Sequence, residues 1–282
     1  MRGSKIRTID TALVLLALVG LVACSTAPSG PKAGTPEYYW QSAKETWVAK
    51  DYMKTAEHLA QATRTESEIY VPAQTMRLVL LSGLTSAYAD LGEYFENGAK
   101  ANIFKPMPLR KVSSDYMKQA EIRALEFGEA YLKFSKALTG PTVKLDFAFP
   151  AADMTEIREI KKILAGSLLD EATMTSVERR KIQQSIALAV AAAVGAPNDT
   201  AKAQAALASG SAEVPMEVFV LAMANKLYDQ AFLFSKKKLD NPQRLEVFVN
   251  EAKDALKQLK ESKETKNLSA KLDKLLKESK ER

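Results

Sequence analysis

The stretch Met76-Arg77-Leu78-Val79-Leu80-Leu81-Ser82-Gly83-Leu84-Thr85-Ser86-Ala87-Tyr88-Ala89-Asp90-Leu91-Gly92 decides the fold class. Its large apolar residues Met76, Leu80, Leu84, Tyr88 and Leu91 recur every three or four positions, the period of a helix with one face against a core, and no proline interrupts them. Gly92 has the residue type of a helix C-cap. The pattern then restarts over Tyr94 to Ala101, so the expectation is helix, turn, helix.

The same period runs outward in both directions. Upstream, Thr35-Pro36-Glu37 reads as an N-cap, a first-turn proline and an acid near the positive end of a helix, with Tyr39, Ala43 and Trp47 following at helical spacing to about Ala49. Asp51 can cap a second helix striped by Met53, Ala56, Leu59 and Ala60, which the polar run Thr63 to Ser67 ends. Downstream, residues 102–112 hold two prolines and read as a loop, and Ser113 or Ser114 opens a helix to about Leu138. Further helices are expected over 154–164, from Thr175 or Ser176 to Ala196 with an apolar, centrally buried end, over 200–207, from Pro215, and from Asn241-Pro242 to Leu259. The charged tail 261–282 carries Leu268, Leu272, Leu275 and Leu276 on one face and reads as partly helical or disordered, either solvated or a docking helix for a partner or anionic lipid.

One segment breaks the period. Thr142-Val143-Lys144-Leu145-Asp146-Phe147-Ala148-Phe149 alternates between Gly140-Pro141 and Pro150 and is strand-like. A single strand cannot satisfy its own backbone. It must pair with an unrecognised strand, another copy or a ligand protein, unless it is an extended connector that lays Phe147 and Phe149 on helices.

The first pairs resemble tetratricopeptide repeats. Leu84, Ala87, Tyr88, Leu91, Gly92, Glu93 and Tyr94 fall in the order of that repeat's first helix and turn, and Ala43, Asp51, Tyr52, Leu59 and Ala62 hold comparable places in the preceding pair. Thr55 and Asn97 replace the small alanine expected after the turn. Tyr52 to Tyr94 is 42 residues, against a family period of about 34. The expected fold is therefore all-α, stacked helical hairpins that are tetratricopeptide-like over 36–104, with a helical remainder over 113–260 and one strand-like segment near 142–149. The folded domain spans 35–260.

The first 34 residues set an address. Arg2, Lys5 and Arg7 precede the apolar run Ala12 to Ala23, too short for a bilayer that wants roughly 20 apolar residues. Leu21-Val22-Ala23-Cys24 resembles the lipobox of bacterial lipoproteins. That resemblance implies a signal peptide over 1–23, cleavage between Ala23 and Cys24, and diacylglyceryl and N-acyl chains such as palmitate on Cys24. Residues 24–34, rich in Ser, Pro and Gly, then read as a tether. Ser25 is not the aspartate that resembles an inner-membrane retention signal, so the expected location is the cell envelope, at the periplasmic face of the outer membrane.

Composition narrows the chemistry. The formal charge of +6 falls to +4 when three cations and Asp10 leave with residues 1–23. Neither a concentrated basic stripe nor interleaved aromatics appear, so no nucleic-acid partner is expected. Beyond Cys24, the one cysteine, only His58 could serve a site of the commonest metal type, so no metal and no cofactor besides the lipid are expected. Glu156 and Glu159 stand among Arg158, Lys161 and Lys162 and read as surface charge patterning. No catalytic residue is assigned.

These readings lead to a non-enzymatic, membrane-tethered scaffold or adaptor that binds another envelope protein through its helical surface, with Tyr38, Trp40 and Glu45 as candidate groove residues. A second expectation is a small-ligand or solute-transport accessory lipoprotein, similar to the helical lipoproteins that accompany solute-binding proteins. Its cavity would lie between helices 182–196 and 216–234, with Asn225 and Tyr228 as candidate pocket residues. A peptidoglycan-active hydrolase or lyase, the third, needs two carboxylates converging in a cleft.

Overall fold

A computed structural model describes residues 30–281. The signal segment, Ala23 and Cys24 lie outside the described residues. The all-α class holds: ten helices are joined to one two-stranded ribbon among the described residues.

The amino-terminal hairpin forms where its caps place it. In α1 (Pro36–Val48), Thr35 Oγ1 accepts from the Tyr38 N–H at 3.3 Å, and Trp40, Ala43 and Trp47 turn inward. Asp51 caps α2 (Tyr52–Ala62), whose Tyr52, Ala56, Leu59 and Ala62 face the same core. Tyr39 meets His58 and Trp47 meets Tyr52, so the two helices run antiparallel.

The second expected hairpin is a single helix. α3 (Tyr70–Ala101) runs unbroken for 32 residues, about 48 Å at 1.5 Å per residue. Thirteen consecutive residues, Ala73 to Thr85, are buried, so this helix is walled in on all sides and is the axis of the molecule. Gly92 does not cap it. A Cβ there would lie 2.7 Å from the Met117 side chain, and the Ser113 hydroxyl donates to the Gly92 carbonyl at 2.7 Å. The glycine marks a close helix crossing, not a stop, and Phe95 and Ala99 carry the apolar stripe past it.

Its antiparallel partner α4 (Met107–Ala137) starts earlier than the prolines suggest. Pro108 falls in the first turn, where a backbone N–H has no intrahelical acceptor to lose. The loop therefore shrinks from 102–112 to 102–106.

The strand-like segment pairs, and it also packs. β1 (Thr142–Leu145) is antiparallel to β2 (Ala212–Pro215), with Val143 opposite Val214 and Lys144 opposite Glu213. Val143, Leu145 and Val214 point into the core. Immediately after β1, Phe147 lies against Trp47 at 5.1 Å between ring centroids, and the Trp47 indole N–H donates to the Ala148 carbonyl at 2.8 Å.

The remaining helices close around α3. α5 (Glu159–Leu164) and α6 (Glu171–Ala193, capped by Asp170) cross it at Gly98 and Gly83, where added Cβ atoms would meet the Ile163 carbonyl and the Ile186 Cα. Short α7 (Thr200–Ala206) leads to β2 and α8 (Met216–Leu233). α9 (Pro242–Lys257, capped by Asn241) packs on α8. The charged tail is not a solvated appendage. Residues Lys263–Lys280 form α10, started by a Ser262–Thr265 capping box, and Leu268, Leu272 and Leu275 are buried while the helix contacts α8 and α9.

Candidate binding cleft between the fourth and ninth helices

Of the three groove residues expected on α1, one lies inside the protein. Tyr38 and Glu45 are exposed, but Trp40 is 7 % exposed and belongs to the core, with the Lys44 ammonium 5.0 Å over its ring. The spacing of Trp40, Ala43 and Trp47 puts it on the inward stripe. Asn225 and Tyr228 do not enclose a pocket either. Asn225 is exposed and its amide donates to the Leu221 carbonyl of its own helix at 2.9 Å, while Lys271 of α10 lies over the Tyr228 ring. Ile186, Val190 and Ala193 of α6 and Phe219, Met223 and Leu227 of α8 belong to one continuous buried core. His58 is half-buried beside Tyr39, and Glu156 pairs with Lys161 at 2.9 Å.

A different place combines apolar surface with an unpartnered polar group. α4 presents Leu125, Gly128, Glu129 and Leu132, and α9 presents Arg244, Val247, Phe248 and Glu251. On each helix these residues are three, four and seven apart, so each set forms one face. The faces approach closely where Gly128 lacks a side chain: a Cβ there would come 2.9 Å from the Phe248 ring. Beside that crossing a cleft of about 520 Å³ opens. Its walls include Leu132 and Val247, 46 % and 54 % exposed.

Glu251 is the chemically distinct group in this cleft. Its Oε2 is buried and has no hydrogen-bond partner. Burial alone pushes the carboxyl up from 4.5 to about 7. Low-dielectric surroundings disfavour the charged form, and no cation is near enough to offset them. Glu129, also in the cleft lining, behaves oppositely. Its hydrogen bond from Lys133 at 2.6 Å holds its carboxyl below the ordinary range. A half-buried acid with a free acceptor can take a hydroxyl, a backbone N–H or a cationic side chain from whatever fills the cleft.

Glu251 was not legible in advance. α4 and α9 lie more than a hundred residues apart, and no local period states which face of one meets the other. The one signal is a glutamate three residues after Phe248 and one before Ala252, close to an otherwise apolar stripe.

Among the described residues no three His, Cys, Asp or Glu side chains gather closely enough to hold a metal ion, and no helix is long and apolar enough to cross a membrane. In comparisons with known proteins, no family model matches this chain, and no curated protein or solved structure is significantly similar to it.

Proposed function

We propose that the protein is a scaffold or adaptor of the bacterial cell envelope, tethered by acyl chains on Cys24, that holds another envelope protein through the cleft between α4 and α9. The observation that carries this reading is the cleft itself: two helix faces that meet at Gly128 and Phe248, exposed leucine and valine on its walls, and one carboxyl lacking a partner. That composition suits an amphipathic segment of a partner protein, with an apolar side chain against Leu132 and Val247 and a donor or cation reaching Glu251. The expected site of action is the periplasmic face of the outer membrane, from the lipobox and Ser25.

The test is cross-linking and pull-down from membranes with the full chain and with Leu132→Glu/Val247→Glu and Glu251→Ala variants. One dominant envelope protein recovered by the parent chain and lost with the paired-wall variant supports the reading. Equal recovery by all three removes the cleft from it.

A second reading, a glycan hydrolase or lyase, is favoured by one observation: Glu251 and Glu129 line the same cleft with their protonation equilibria pushed apart, as an acid and an ionised partner would be. Purified peptidoglycan incubated with the parent chain and with Glu251→Gln decides it. Release of soluble fragments by the first and not the second would replace the adaptor reading.

A further inference from the structure

The α3–α4 turn is the most exposed apolar feature among the described residues. Ile103, Phe104 and Met107 are 78 %, 88 % and 67 % exposed. Water-facing side chains of this size in one turn are a standing cost that no contact within the chain offsets.

The turn is also firmly built. The Asn102 amide donates to the Gly166 carbonyl at 2.9 Å, and its Oδ1 accepts from the Lys105 N–H at 2.9 Å. This stitches the tip to the α5–α6 turn, where Leu164 and Leu168 are also exposed. The apolar residues of two loops thus form one preorganised cap on the molecule.

Charge selects what meets that cap. Residues 97–114 and 160–169 contain Lys100, Lys105, Arg110, Lys111, Lys161 and Lys162 and not one carboxylate. Lys100 and Lys161 pair with Glu96 and Glu156. The other four have no carboxylate within 4 Å among the described residues, and all are exposed. An exposed apolar turn flanked in sequence by exposed cations is complementary to a bilayer of anionic lipid, where the apolar groups enter the headgroup–acyl boundary and the cations meet phosphates.

We infer that the α3–α4 turn is a membrane contact in its own right, with Ile103, Phe104 and Met107 entering the interface of an anionic bilayer and Lys105, Arg110 and Lys111 on the lipid phosphates. This does not rest on acylation of Cys24 or on the cleft between α4 and α9. It would set how a tethered molecule is oriented on its membrane.

The test uses the chain from Ser25 to Arg282, which contains every described element and the whole of their shared core but no acylated cysteine. It is sedimented with vesicles of phosphatidylcholine alone and of phosphatidylcholine mixed with phosphatidylglycerol. Binding is expected to the anionic vesicles, falling with added salt but not with inorganic phosphate at matched ionic strength. Ile103→Ser/Phe104→Ser and, separately, Lys105→Glu/Lys111→Glu are expected to lower the partition coefficient about tenfold or more with unchanged circular dichroism. Failure to bind anionic vesicles, equal binding by the apolar variant, or indifference to lipid charge would overturn the inference. So would a dimer of the parent chain in ultracentrifugation that Phe104→Ser dissolves, since the cap would then belong to a second copy.

Discussion

At Glu251 the chain holds an ionisable group where its neutral form is preferred, and this ties stability to pH in a definite direction. With the folded-state value raised from 4.5 to about 7, the native protein keeps a proton that the unfolded chain has released across that interval. Stability is therefore highest below the unfolded value and declines as pH rises toward the folded one. Allowing for the water that reaches the cleft, the decline attributable to this residue is about 2 kcal/mol between roughly pH 4.5 and pH 7. Denaturant titrations of the parent chain and of Glu251→Gln should show a pH-dependent difference, with the variant flatter over that range. Parallel curves would mean that the carboxyl is solvated and ionised. A partner that places a cation on Glu251 should reverse the trend, since it rewards the ionised form.

At the scale of elements, the central helix shows what local sequence states and what it omits. Thr35, Asp51 and Asn241 cap the helices that their residue types announce, because a side chain that accepts from the N–H groups of the first turn acts within three residues. Glycine is ambiguous in the same local frame. It suits a C-cap, and it equally suits the middle of a helix that another backbone must approach, and only the tertiary neighbour decides. On α3 the neighbours decide for crossing at Gly83, Gly92 and Gly98, so a predicted helix–turn–helix is one rod. β2 escaped notice for a related reason. Four residues with one buried valine carry too short an alternation to register, and their partner lies seventy residues upstream. The crossing interpretation makes a prediction in which two effects oppose each other. Gly98→Ala gains about 1 kcal/mol of helix propensity, but its methyl falls on the Ile163 carbonyl oxygen, which is backbone and cannot swing aside. Overpacking costs of about 2–4 kcal/mol should win, and the melting temperature should fall, whereas Gly30→Ala, with nothing within 4 Å of the new methyl, should leave it unchanged. A stabilised Gly98→Ala would mean that α3 and α5 do not cross there.

For the whole molecule, the question is where the cooperative unit ends, and the composition of the last 22 residues suggests a different answer from the packing. Lysine and glutamate dominate 261–282, and such a segment on its own would form a marginal helix, since an isolated helix of this length barely holds in water. The core reaches into it all the same. Leu268, Leu272 and Leu275 are 3 %, 0 % and 5 % exposed, the helix contacts α8 and α9, and Lys253 closes on Asp273 at 2.5 Å. That ion pair is partly exposed and adds little. The leucines decide the matter, at about 2 kcal/mol each for full burial, together comparable to a large share of the 5–15 kcal/mol that typically separates a folded domain from its unfolded chain. A chain ending at Lys260 should therefore lose far more than a tail. It should melt at a markedly lower temperature and bind an apolar dye at the uncovered faces of α8 and α9. Restoring 261–282 with Leu268, Leu272 and Leu275 all changed to Ser should fail to rescue it, because the added segment would supply helix and charge but no apolar seal. If the truncated chain melted like the parent, α10 would be a passenger on the surface, and its leucines would be free to serve a partner instead.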